Sequence, residues 1–142
     1  MYELLLITHF LGLALGVGTS FAAMALGRAS KALPEAERAQ FMLRAMAIGK
    51  NGSIGLALLL LSGLGMWFYR GIRETMAWGG GAFHAKLTLI VLLIGAFGYL
   101  QVLQKRARKG QGGSALGRLP KVGGIVLLLG IAIIASAVIA FK

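Results

Sequence analysis

Four apolar blocks constrain this chain more than any other feature: Leu4 to Gly27, Gly52 to Tyr69, Gly79 to Leu103 and Val122 to Phe141. Each is close to the ~20 residues that carry a helix across a roughly 30 Å hydrocarbon core. Inside such a core the backbone must satisfy its own hydrogen bonds, which selects helices. The chain is 58% hydrophobic and 13% charged, far from the balance of a water-soluble domain. The expectation is an all-α, integral membrane, four-helix up-and-down bundle, one transmembrane domain over residues 1–142.

A net charge of +11 invites a nucleic-acid partner until its placement is considered. Arg28, Lys31, Arg38, Arg44 and Lys50 fall between the first two blocks, and Lys105, Arg106, Arg108, Lys109, Arg118 and Lys121 between the last two. The other side carries Glu3 and, between blocks two and three, Arg70 and Arg73 offset by Glu74. By the positive-inside rule both basic connections are cytoplasmic, so both termini and the stretch from Arg70 to Gly81 face outside. The basic residues then set topology and attract anionic lipid, and no nucleic acid is expected as a partner.

The absence of cysteine excludes disulfides, thiolate metal sites and thiol catalysis. The first block has no basic n-region or clear cleavage site and reads as a retained span rather than a signal peptide. Pro34, Glu35 and Glu37 open a segment with Phe41, Met42, Ala45 and Met46 at helical spacing, an interfacial helix or an extension of the second span. Trp67-Phe68-Tyr69-Arg70 marks the outer interface with aromatic rings and a snorkelling arginine.

Ionisable residues at membrane depth are expensive and functional by default. Two histidines occur, His9 in the first block and His84 in Phe83-His84-Ala85-Lys86 at the outer end of the third. In an up-and-down bundle these spans run in the same direction, so the two imidazoles stand at similar depth near the outer face. Gly12 and Gly16 follow His9 on one helix face, and Thr88, Val91, Gly95 and Gly98 continue the face of His84. Such grooves serve close helix packing, a homodimer included, or a flat ligand. Arg70 and Arg73 are interface anchors or carboxylate clamps. Residues two apart on a helix point about 200° apart, so His84 and Lys86 cannot address one atom.

Two histidines facing one interior suit axial ligation of haem b as metal ligands, with Arg70, Arg73 and Lys86 near its propionates and Gly12 and Gly16 beside the macrocycle. A quinone, another metal or purely structural histidines are the alternatives. Without a carboxylate or thiolate the pair makes a poor closed zinc site. No acidic residue lies within a span to serve a proton-coupled pump. Met24 and Met66 lie near opposite faces and form no methionine relay for copper.

The four spans, the histidine early in span one, and Phe83-His84-Ala85-Lys86-Leu87 followed by an aliphatic run and Gly98-Tyr99-Leu100 resemble the HemJ-type protoporphyrinogen oxidase family and the related copper-resistance D-like proteins. The resemblance implies a bacterial inner-membrane protein that binds haem b. It also implies that His9 and Lys86 matter for activity, with Arg73 or Arg70 as a functional arginine. The family tends to carry an aromatic and proline-rich motif with an arginine and a further histidine at the end of span one, where this chain has Thr19 to Arg28. The primary expectation is therefore a membrane b-type cytochrome, for electron transfer or another oxidoreduction. Protoporphyrinogen oxidation is one version of it, and a cofactor-free accessory subunit is the alternative.

Overall fold

The computed structural model describes residues 1–110 and 113–140. Among them the chain is helical apart from short turns: α1 (Tyr2–Ala29), α2 (Glu35–Ala45), α3 (Gly49–Arg70), α4 (Ile72–Arg108) and α5 (Gly113–Ala140), with 3-10 turns at Ser30–Ala32 and Met46–Ile48. Four stretches are long and apolar enough to cross a membrane: Tyr2–Ala32, Glu35–Arg70, Phe83–Arg108 and Ser114–Ile139. The end of the fourth block at Phe141 lies outside the described residues.

Three sequence boundaries move. Arg70 to Gly81 is not a loop, because the chain reverses at Gly71 alone and re-enters helix at Ile72. Gly71 has φ 88°, a conformation that residues with a Cβ rarely adopt. A second glycine with positive φ, Gly80 (φ 49°, ψ −147°), interrupts α4 and separates a short first segment from the membrane-length part. The basic stretch after Gln104 is also mostly helical, since α4 runs on to Arg108 and α5 begins at Gly113. Pro34 sits immediately before α2, where its missing N–H leaves no intrahelical bond unmade.

Helices α1 and α3 form one close pair, and α4 and α5 the other. Glycine permits the first. A Cβ on Gly12 would lie 2.8 Å from Gly55 O and from Leu59 N, and one on Gly55 would lie 2.6 Å from Gly16 N. The helices thus meet backbone to backbone, the close approach that small residues allow in lipid. The buried apolar core lies at the basic end, where Met46, Leu103, Ala107, Ala115 and Leu119 join α4, α5 and the turn before α3. There Arg38 donates to the carbonyls of Ser30 (3.1 Å), Lys31 (3.2 Å) and Leu33 (3.3 Å), and Arg108 to that of Met46 (3.2 Å). Two of the basic residues therefore close off backbone carbonyls after α1 and before α3 as well as carrying charge. Outward faces are apolar: Leu61, Val91 and Leu128 are about two-thirds exposed. Such a surface is compatible with a membrane bundle.

Candidate functional site

Away from the packed basic end the two helix pairs stand apart around a cavity of about 650 Å³. Each helix contributes one face. On α4 the wall residues beyond the Gly80 break are Phe83, Lys86, Ile90, Leu93 and Phe97, spaced by three and four, the stripe that a helix turns toward a neighbour, and Thr75 joins them from before the break. On α1 the same spacing selects Tyr2, Leu6, His9, Leu13, Gly16 and Ser20. Most of the wall is aliphatic or aromatic. Its ionisable groups are His9, Lys86, Arg70 and the phenol of Tyr2.

His9 is oriented from α3. Its Nδ1 lies 3.0 Å from Oγ of Ser62, a buried serine whose hydroxyl donates to the Leu58 carbonyl one turn back. With that proton on the carbonyl the serine oxygen can accept, and in the tautomer that carries its N–H on Nδ1 the imidazole donates to it. In that tautomer Nε2 keeps its lone pair. A Cβ on Gly63 would stand 3.4 Å from Cε1 and 3.7 Å from Nδ1, so this edge of the ring rests on α3 where no side chain intervenes. An imidazole with one nitrogen tied by a hydrogen bond and the other basic is the arrangement of a metal-binding histidine.

Lys86 shares the cavity wall with His9. Arg70 lies at the end of the cavity away from the basic core with its guanidinium 5.1 Å above the Tyr2 ring, and Tyr2 packs on Tyr69 with centroids 5.8 Å apart. Trp67 and Phe83 meet edge to face at 5.8 Å. The Trp67 indole nitrogen is buried without a hydrogen-bond partner among the described residues.

The structure separates residues that the sequence grouped. His84 is exposed and stands off the cavity wall, so the two histidines do not face one interior. The rotation of α4 that turns Lys86 inward turns His84 outward, as their two-residue spacing requires. Among the described residues no group of three or more His, Asp or Glu could hold a metal ion. Arg73 is exposed and is not a wall residue, whereas Arg70 is one. Gly12 is consumed by the α1–α3 contact and is unavailable to a ligand, while Gly16 both approaches α3 and lines the cavity. A Cβ on Gly95 or Gly98 would meet nothing within 4 Å, so neither is a point of close helix approach among the described residues.

Ser62 and Gly63, which seat the imidazole, carry no sequence motif. The available signal was a hydroxyl within an aliphatic run, at a depth matching His9 on the antiparallel partner. A second, smaller cavity of about 110 Å³ at the basic end contains Gln101, whose Nε2 donates to Ser53 Oγ at 2.7 Å and ties α4 to α3. No protein-family model matches this chain, and neither the curated proteins nor the solved structures contain a match to it.

Proposed function

We propose that this chain is a small multi-pass membrane oxidoreductase that would hold haem b in the cavity through His9. The observation that carries it is the Ser62–His9 hydrogen bond, which, with Nδ1 as the donor, leaves Nε2 basic on a histidine in the wall of a largely apolar cavity of about 650 Å³. That volume falls in the ~300–1,000 Å³ range of small-molecule and cofactor sites. Arg70 at the outer end suits a propionate, because a guanidinium presents paired donors to a carboxylate. When bound, haem supplies one-electron chemistry at its iron.

His9 holds the group, Ser62 and Gly63 orient His9, and the apolar walls exclude water. Lys86 places a cation beside the macrocycle, where it can hold a carboxylate or pass a proton. With His84 outside the cavity, His9 is the histidine of this chain that would hold the iron. This favours catalysis over bis-histidine electron transfer. It also favours the protoporphyrinogen oxidase version of the function, because His9 and Lys86, the residues carried by that resemblance, meet in one cavity.

The test is a haem titration of the purified protein followed by absorbance, repeated on His9→Ala, Lys86→Ala and His84→Ala. His9→Ala is expected to lose the haem spectrum, Lys86→Ala to retain it with weaker binding or lost turnover, and His84→Ala to match the parent. Full retention in His9→Ala removes the imidazole from the site.

A further inference from the structure

The four helices do not close the cavity on every side. Of its apolar wall residues only Leu6, Phe10 and Val138 are exposed, Phe10 by 60% and Val138 by 65%. Leu6 and Phe10 are one turn apart on α1, and Val138 is in the last turn of α5. The remaining apolar members of the wall are at least partly buried. The cavity therefore opens sideways, between the start of α1 and the end of α5. Phe10 is the ninth residue of α1, about 12 Å from the helix start at ~1.5 Å per residue, and the 28-residue helix is about 42 Å long. Centred on a ~30 Å hydrocarbon core, the helix leaves roughly 6 Å outside at each end, which puts Phe10 within the acyl chains.

The route from water is a different one. At the end away from the basic core the wall residue Arg70 is itself exposed, with its guanidinium over the Tyr2 ring and Tyr69 beside that ring, so an approach from water passes a cation and two phenols. The sideways opening has only aliphatic and aromatic rims. We infer that the ligand of this cavity enters and leaves through the α1–α5 opening from the hydrocarbon of the membrane, so that the site serves a lipid-dissolved amphiphile and not a water-soluble metabolite. Its identification as a tetrapyrrole rests on the proposed function; the route does not.

The chain has no cysteine, so single-cysteine variants carry a label at one place only. Phe10→Cys and Val138→Cys, each labelled with a bulky maleimide, are compared in lipid nanodiscs with labelled Val91→Cys, an exposed residue away from the cavity. Two readouts are taken: the rate of haem uptake from haem-loaded lipid vesicles, and quenching of Trp67 fluorescence by brominated acyl chains in a Trp78→Phe background. Labels at 10 and 138 are expected to slow uptake several-fold and to remove most of the quenching, and the label at 91 to change neither. Uptake and quenching unchanged by labels at 10 and 138 overturn the inference. Label-sensitive quenching in a protein that takes up no haem from any source upholds the opening and removes the haem assignment instead.

Discussion

Replacing Gly55 by alanine tests the backbone contact on which the site is built. The added Cβ would lie 2.6 Å from Gly16 N, 2.9 Å from Gly12 O and 3.0 Å from Leu15 Cβ. Ordinary contact begins near 3.4 Å, and two of these neighbours are backbone atoms that no rotamer change can move aside. The helices must separate by most of an ångström, an overpacking penalty of about 1–3 kcal/mol. Alanine recovers up to ~1 kcal/mol of helix propensity, so the informative comparison is Gly98→Ala. That substitution has the same propensity gain and meets nothing within 4 Å. Gly55→Ala is predicted to be less stable than Gly98→Ala by ~1–3 kcal/mol. Gly16→Ala, whose Cβ would meet only Leu59 Cδ1 at 3.9 Å, should lie near Gly98→Ala. Reversible unfolding in mixed detergent–SDS micelles, followed by circular dichroism, measures all three. Because Ser62 is seven residues beyond Gly55 on α3, the separation should also loosen the His9–Ser62 bond and weaken haem binding. Equal stability of Gly55→Ala and Gly98→Ala would refute the α1–α3 contact and, with it, the placement of His9.

Three further outcomes follow from individual contacts. Ser62→Ala removes the acceptor for Nδ1–H without removing the imidazole, and outer-shell losses of this kind reduce affinity by roughly 10–100-fold, read by haem titration. Arg38→Ala strips donors from three carbonyls after α1 and should cost about 1–2 kcal/mol, with faster proteolysis around Ser30 to Leu33 as the local signature. Gln101→Leu breaks the bond to Ser53 between α4 and α3, yet the loss should be only ~0.6 kcal/mol, because the alternative state in lipid also finds partners; an unfolding titration showing several kcal/mol would contradict this.

Much of the architecture is legible in the chain because hydrocarbon imposes length and apolarity, and four blocks meet both. Glycine misled in both directions. Gly79 to Gly81 looked like loop, yet α4 absorbs them with one break at Gly80. Gly95 and Gly98 looked like a groove, yet a Cβ on either would meet no described neighbour within 4 Å. The site was partly legible. His9 and Lys86 are ionisable residues in apolar blocks, and both line the cavity. Which of His84 and Lys86 turns inward depends on the rotation of α4 about its axis, and residues 83–86 contain no signal for that. Rotation is decided by the whole stripe from Phe83 to Phe97. Gly12 could serve a ligand or a helix until its partner was known, and the partner, Gly55, is 43 positions away.

The measurement closest to the central claim is the reduced-minus-oxidised visible spectrum of the haem-reconstituted protein in mild detergent, with and without carbon monoxide, beside His9→Ala. Haem held by His9 alone among this chain's histidines predicts bands that shift with carbon monoxide and are missing from the variant. Carbon-monoxide-insensitive bands would contradict it by requiring a second strong ligand, as would unaltered bands in His9→Ala or no bands at all.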